Sequence, residues 1–219
     1  MEQEALPALK KNIDRLNPQV GFFCDDTRDA IKGHTFEGKT PGFVNGGKGQ
    51  EGAILSSVKA WCGPGSKVQA PSQVVTYVSA HDNWTLWDKL SLTVEDEAER
   101  MRANRMAAAV YMTCQGRIFF LSGEEASRTK GGLENSYNAP IEINRLDWNR
   151  MYEQYELVEY YSGLIALRKR LPGLCDKSED AWKRIRDEWK TDGVVGFLVD
   201  NHSESQPSLW ETLCVIYNS

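Results

Sequence analysis

Gln73-Val74-Val75-Thr76-Tyr77-Val78-Ser79 is a run of β-branched and aromatic residues that ends in His81-Asp82-Asn83. Side chains of this kind suit a pleated, half-buried strand, and three hydrogen-bonding side chains then crowd into one turn at its exit. Two other runs repeat the arrangement. Val20-Gly21-Phe22-Phe23-Cys24 ends in Asp25-Asp26, and Arg117-Ile118-Phe119-Phe120-Leu121 is closed by Ser122-Gly123-Glu124-Glu125. Between the first two lies a Gly/Pro-rich excursion over 33–52. Between the last two, a helix is expected from Thr93, with Glu95, Asp96 and Glu97 in its first turn, where the macrodipole favours negative charge. Ala98, Met101, Ala108, Ala109 and Met112 would form its apolar stripe, interrupted by Arg105, and Gly116 would cap it. Strand and helix in alternation, with polar residues at each strand exit, describe a parallel α/β sheet or barrel whose chemistry gathers at the strands' C-terminal ends. An eight-stranded barrel needs eight such units, so on that reading about five are missing.

Downstream, the polar stretch from Arg128 to Asn138 reads as a long loop furnished for binding. Leu157, Tyr160, Leu164, Leu167 and Leu171 recur by threes and fours, and Pro172-Gly173 stops that helix. After Asp176 the pattern changes. Val194–Val199 and Leu213–Tyr217 read as two strands joined by a polar loop from Asp200 to Pro207, the opening of an all-β unit that breaks off at Ser219. The expected division is therefore an α/β part over 1–175 and the start of a β domain over 176–219.

Bulk properties exclude several classes. The chain has 219 residues, 41% hydrophobic and 26% charged, as in ordinary globular proteins. A net charge of −5 without a Lys/Arg stripe argues against a nucleic-acid partner. No apolar run is long enough for a membrane span, and Met1 is followed by Glu2-Gln3-Glu4 rather than by a signal peptide's basic start. The five cysteines are scattered, with no CxxC pair and no histidine at zinc-ligand spacing, so reduced thiols, no metal and a lean toward the cytoplasm are expected. Gly46-Gly47-Lys48-Gly49 lacks the spacing of a phosphate loop.

His81-Asp82-Asn83 alone would serve a cap or turn as readily as a binding site. The wider stretch Tyr77-Val78-Ser79-Ala80-His81-Asp82-Asn83-Trp84-Thr85-Leu86-Trp87-Asp88 resembles the fourth conserved region of the α-amylase superfamily in its pullulanase form. Phe23-Cys24-Asp25-Asp26 with Arg28-Asp29-Ala30-Ile31-Lys32-Gly33 resembles the same family's sixth barrel strand and the segment after it. Phe120–Glu125, Arg128-Thr129-Lys130, Asn135-Ser136-Tyr137-Asn138 and Asn144–Trp148 resemble its eighth strand and substrate-facing loop.

The resemblance implies the C-terminal part of a (β/α)8 TIM barrel, about strands six to eight, followed by the start of an all-β domain. It implies retaining hydrolysis of α-1,6-glucosidic branch linkages in pullulan, glycogen, amylopectin or limit dextrins, without a cofactor or metal. Asp82 would be the carboxylate that stabilises the transition state, and His81, Asn83, Trp84, Asn135 and Tyr137 would bind substrate. Trp87 is a further candidate for the cleft, whereas Trp182, Trp189 and Trp210 would pack the β region.

Retaining hydrolysis also needs a nucleophile and a general acid/base. The opening from Ala5-Leu6-Pro7 to Asn12-Ile13 resembles the stretch just after the family's general acid, so both residues would precede Met1. The isolated chain is then expected to be inactive, its partners being an α-glucan and the missing N-terminal half of the barrel. Asp25, Asp26, Glu124 and Glu125 are read as caps or ion-pair partners. The competing readings are a non-catalytic glycan-binding or complementing module, and another superfamily member such as an isoamylase or an α-1,4 amylase.

Overall fold

The computed structural model describes residues 6–204, 208 and 210–219; the charged start at 1–4, Ala5 and the end of the loop that runs to Pro207 lie outside them. Three short strands, β1 (Phe22–Phe23), β2 (Val74–Thr76) and β3 (Arg117–Ile118), form a parallel sheet in chain order. Phe22 pairs with Val74, and Val75 with Arg117. Single bonds carry the ladder past the strand ends, from Cys24 N to Val75 O (3.0 Å) and from Phe119 N to Thr76 O (3.0 Å).

The strands are shorter than their sequences suggest because other structure begins at once. Asp25 and Asp26 sit in the first turn of helix α1 (Asp25–Lys32), where their charge suits the exposed N–H groups. Pro71 opens a 3-10 turn, Pro71–Gln73, directly before β2. Helix α1 stops at Gly33, whose φ of 91° and approach to Thr40 O leave no room for a Cβ, which would lie 2.0 Å from that oxygen.

Parallel neighbours need crossovers, and helices supply them. α1 and α2 (Glu51–Val58) lie between β1 and β2, and α3 (Leu86–Ser91) and α4 (Glu97–Met112) between β2 and β3. Helix α4 starts four residues later than expected, capped by Asp96, whose carboxylate accepts from Glu99 N at 2.8 Å. Its buried face also differs from the expected stripe. Ala103, Asn104, Ala107, Ala108 and Tyr111 are covered while Ala98 is exposed, so small residues one turn apart admit the neighbouring helices closely.

After β3 come α5 (Ile141–Asn144), α6 (Trp148–Glu153), α7 (Tyr155–Arg168) and α8 (Pro172–Cys175). Arg168 ends α7 and donates to Met112 O (2.8 Å), Cys114 O (2.5 Å), Gly116 O (3.0 Å) and Leu174 O (3.2 Å). One guanidinium thus satisfies carbonyls left over at the C-terminal end of α4 and ties three segments together.

Strands β4 (Ile185–Thr191), β5 (Val194–Asp200) and β6 (Thr212–Asn218) form an antiparallel sheet in that order. β5 and β6 match the two expected strands. β4 was not legible, since its residues are mostly charged and exposed and a bulge between Arg186 and Trp189 breaks the alternation, with Asp187 at φ 50°. The signal that was present is Asp192-Gly193, a two-residue hairpin turn with Gly193 at φ 71°. Trp189 lies across Gly196, where any Cβ would fall 2.2 Å from the indole. The two sheets share one core running from Ile31, Ile54 and Tyr111 to Val195, Phe197 and Tyr217. No described helix is long and apolar enough to cross a membrane.

Candidate active site

At the C-terminal ends of the parallel strands lies a cleft of about 380 Å³. One wall is aromatic. Phe23 from β1 meets Tyr77 edge-on with centroids 4.9 Å apart, and Phe119 at 5.3 Å. Arg28 and Lys32, four residues apart on α1, reach the cleft from the same helical face.

Arg28 is fully engaged. It donates to Tyr77 Oη (2.8 Å), Asp25 Oδ1 (3.1 Å) and both carboxylate oxygens of Asp29 (2.7 and 3.1 Å), while Tyr77 Oη donates to Asp25 Oδ1 at 2.7 Å. Asp25 and Asp29 are therefore held by Arg28 rather than turned toward a reacting group. Lys32 is 1% exposed, and its side chain lines the cleft. Burial, reinforced by repulsion from Arg28 and opposed by attraction from Glu124, pushes its pKa down to about 7.

Glu124 is also buried, accepting from Tyr111 Oη (2.8 Å), Tyr161 Oη (3.0 Å) and the Ser79 hydroxyl. Desolvation raises its pKa against those bonds. It braces the segment that leads to His81 from below.

His81 and Asp82 stand at the mouth of the cleft, their side chains 86% and 68% exposed, with His81 Nε2 3.3 Å from Asp82 Oδ2. Asn83 lines the cleft beside them in the left-handed region at φ 62°, a conformation asparagine tolerates better than most residues. Trp84 lies outside the lining and donates from Nε1 to Gly132 O at 3.1 Å. Thr85 then caps α3 by accepting from Asp88 N at 3.1 Å.

Asn135 and Tyr137 are not brought to this cleft. Both side chains are exposed on the loop after β3, Tyr137 at 79%, and the residue between them, Ser136, is buried and pinned to Asn144 by bonds of 2.8 and 2.7 Å. Trp87 is buried instead of facing the cleft, with the Arg100 and Arg150 guanidinium groups 5.1 and 5.6 Å from its ring. Trp182 packs on Cys24, Ala60, Cys62 and Val74 beneath the parallel sheet, away from the expected β region. The residues sequence reasoning missed are Phe23, Arg28, Lys32, Tyr77 and Phe119. For the two cations, the available signal was their spacing on a helix that starts at a strand exit.

A second hollow of about 250 Å³ lies under the loop after β3. Of its four cations, Arg128 and Arg150 donate to the carbonyls of Ser122, Asn144, Ala126 and Ser127, Lys130 donates to those of His81, Asn83 and Glu134, and Arg145 completes the lining.

The Bacillus subtilis (strain 168) pullulanase is 41% identical over 176 residues, which is 78% of this chain and 24% of that protein. The pullulanase of Paenibacillus barengoltzii, solved with maltohexaose and α-cyclodextrin, superposes with a TM-score of 0.88 at 39% identity, over 95% of this chain and 33% of that one. Over most of its length this chain is similar to one segment of the pullulanases. A glycogen debranching enzyme of Yersinia pestis bv. Antiqua (strain Angola) is a more distant relative, 25% identical over 90% of this chain and 32% of its own length. The chain thus spans about a quarter to a third of the length of the relatives it matches. No protein-family model matches it.

Proposed function

We propose that this pullulanase segment supplies the transition-state-stabilising carboxylate and part of the glucan cleft for retaining hydrolysis of α-1,6 branch linkages. The observation that carries the reading is the His81–Asp82 pair, 3.3 Å apart at the exit of β2 and at the mouth of an aromatic-walled cleft. A carboxylate that binds adjacent sugar hydroxyls holds them more tightly as the ring flattens toward an oxocarbenium ion, and the neighbouring imidazole adds a hydrogen bond to the same ring. Asn83 borders that sugar, Trp84 supports the turn from outside the lining, and Asn135 and Tyr137 serve further glucose units of the glucan, which suits their exposed loop.

On this reading β1, β2 and β3 are barrel strands six to eight within 1–175, and the β4–β6 sheet opens a C-terminal β domain over 176–219. The parallel order in chain sequence and the cleft at the strands' C-terminal ends support it. Asp82 is the single carboxylate among the described residues lining the cleft, whereas retaining hydrolysis uses a nucleophile and an acid/base besides. The isolated segment therefore binds malto-oligosaccharide without cleaving it.

The test titrates the chain with maltotetraose, a ligand found with the Paenibacillus barengoltzii pullulanase, and in parallel assays reducing-sugar release from pullulan. Binding weakened about tenfold by Asp82→Ala, with no sugar release, is the expected outcome. Sugar release abolished by Asp82→Asn would refute inactivity, and equal affinity in wild type and Asp82→Ala would refute the site.

A further inference from the structure

The turn that carries Asp82 does not hold itself. Among the described residues, no backbone-to-backbone hydrogen bond involves His81, Asp82, Asn83 or Trp84. Its carbonyls are instead gathered by a side chain from another loop. Lys130, 3% exposed, donates from Nζ to Asn83 O (2.5 Å), Glu134 O (3.3 Å) and His81 O (3.4 Å). An ammonium this deeply buried needs such partners, and three carbonyl oxygens match its three donors.

Lys130 is itself fixed. Its backbone N–H donates to Asp88 Oδ2 at 2.7 Å, and Thr129 Oγ1 donates to the other oxygen of the same buried carboxylate. Asp88 belongs to α3, which follows the turn directly, so both ends of the clamp rest on one helix. Trp84 Nε1 reaches Gly132 O from the opposite side.

We propose that Lys130 is a positioning residue whose ammonium locks the His81–Asn83 turn to the loop bearing Asn135 and Tyr137, so that the two loops move as one glucan-binding rim. This rests on the role given to Asp82 above. Burial of an aliphatic stem alone would be served equally by methionine. The proposal requires the charged donors.

The experiment compares wild type, Lys130→Met and Lys130→Arg in the full 219-residue chain. Brief chymotrypsin treatment is read by mass spectrometry for nicking after Trp84 in the turn, after Tyr137 in the partner loop, and after Tyr111 in α4 as a report of global opening. Lys130→Met should raise nicking after both Trp84 and Tyr137 by about tenfold with none gained at Tyr111, while Lys130→Arg stays within about threefold of wild type. Unchanged nicking, a rise at Tyr137 alone, or a matching rise at Tyr111 would overturn the proposal.

A maltotetraose titration gives a second arm. Lys130→Met should weaken binding about as much as Asp82→Ala does, whereas Asp82→Ala should leave nicking after Tyr137 unchanged. Wild-type affinity in a Lys130→Met chain whose loops have opened would overturn the link to the rim. If the wild-type chain bound no maltotetraose, the glucan reading would fail while the nicking pattern still decided the clamp.

Discussion

Replacing Lys32 by methionine should stabilise the chain, by an amount that depends on pH in a defined direction. Methionine keeps the volume of the buried stem and gives up an ammonium whose charged form is disfavoured mainly by desolvation. In the folded chain that group loses its proton near 7, against an ordinary lysine value of 10.5. Between those values the unfolded chain binds more protons than the folded one, so wild-type stability rises with pH, and the gain is lost as pH falls through about 7.

At about 1.36 kcal/mol for each pH unit of difference, the full window amounts to roughly 5 kcal/mol as an upper figure. The methionine variant has no such dependence. Its advantage should be largest at and below about pH 7 and should close between there and about pH 10. Part of it is offset, because Lys32 also draws Glu124 toward its charged form, and without that attraction Glu124 binds a proton more readily. Urea unfolding followed by tryptophan fluorescence, repeated at several protein concentrations, measures the difference, and other titrating groups cancel between the two chains. A gap that stayed constant across the window would refute the argument. So would a variant less stable than wild type at pH 7, since the ammonium would then have to be favourably paired.

Arg168→Met should cost about 3 kcal/mol in the same assay, because it leaves the carbonyls of Met112, Cys114 and Leu174 without their charged donor, Gly116 O keeping the Lys177 ammonium; a loss below about 1 kcal/mol would mean that water replaces the guanidinium freely. Trp182→Ala should cost about 2 kcal/mol by opening a cavity over Cys24, Ala60, Cys62 and Val74, and should leave maltotetraose affinity unchanged, as binding titration can check. The outer edges of β1, β3 and β6 pair with no described strand, and Phe23 is 46% exposed, so the isolated chain should self-associate and bind a hydrophobic dye. A monodisperse monomer with one sharp melt and no dye binding would contradict that.

What the sequence disclosed came from local chemistry. The Val74–Thr76 run is β-branched, so its strand and the polar turn after it were legible, and with them the neighbourhood of His81, Asp82 and Asn83. The direction of long side chains was not. Arg28 and Lys32 enter the cleft because α1 begins immediately after β1 and turns that face inward, which depends on where a two-residue strand stops. Trp87 looked like a cleft aromatic beside Trp84, yet α3 places it under two arginines. Asn135 and Tyr137 lie on a loop whose path is set by the buried Ser136–Asn144 pair, a contact eight residues apart that no periodicity announces.

The central claim is that Asp82 stabilises the transition state of a site whose nucleophile and general acid come from another segment. It is tested by refolding this chain with the complementary N-terminal segment of a pullulanase and measuring reducing-sugar release from pullulan. The account predicts turnover from the mixture, none from either segment alone, and a fall of about a hundredfold or more in kcat when Asp82→Ala is used, with the yield of assembled complex unchanged. An assembled mixture that hydrolyses pullulan equally well with alanine at that position would contradict it.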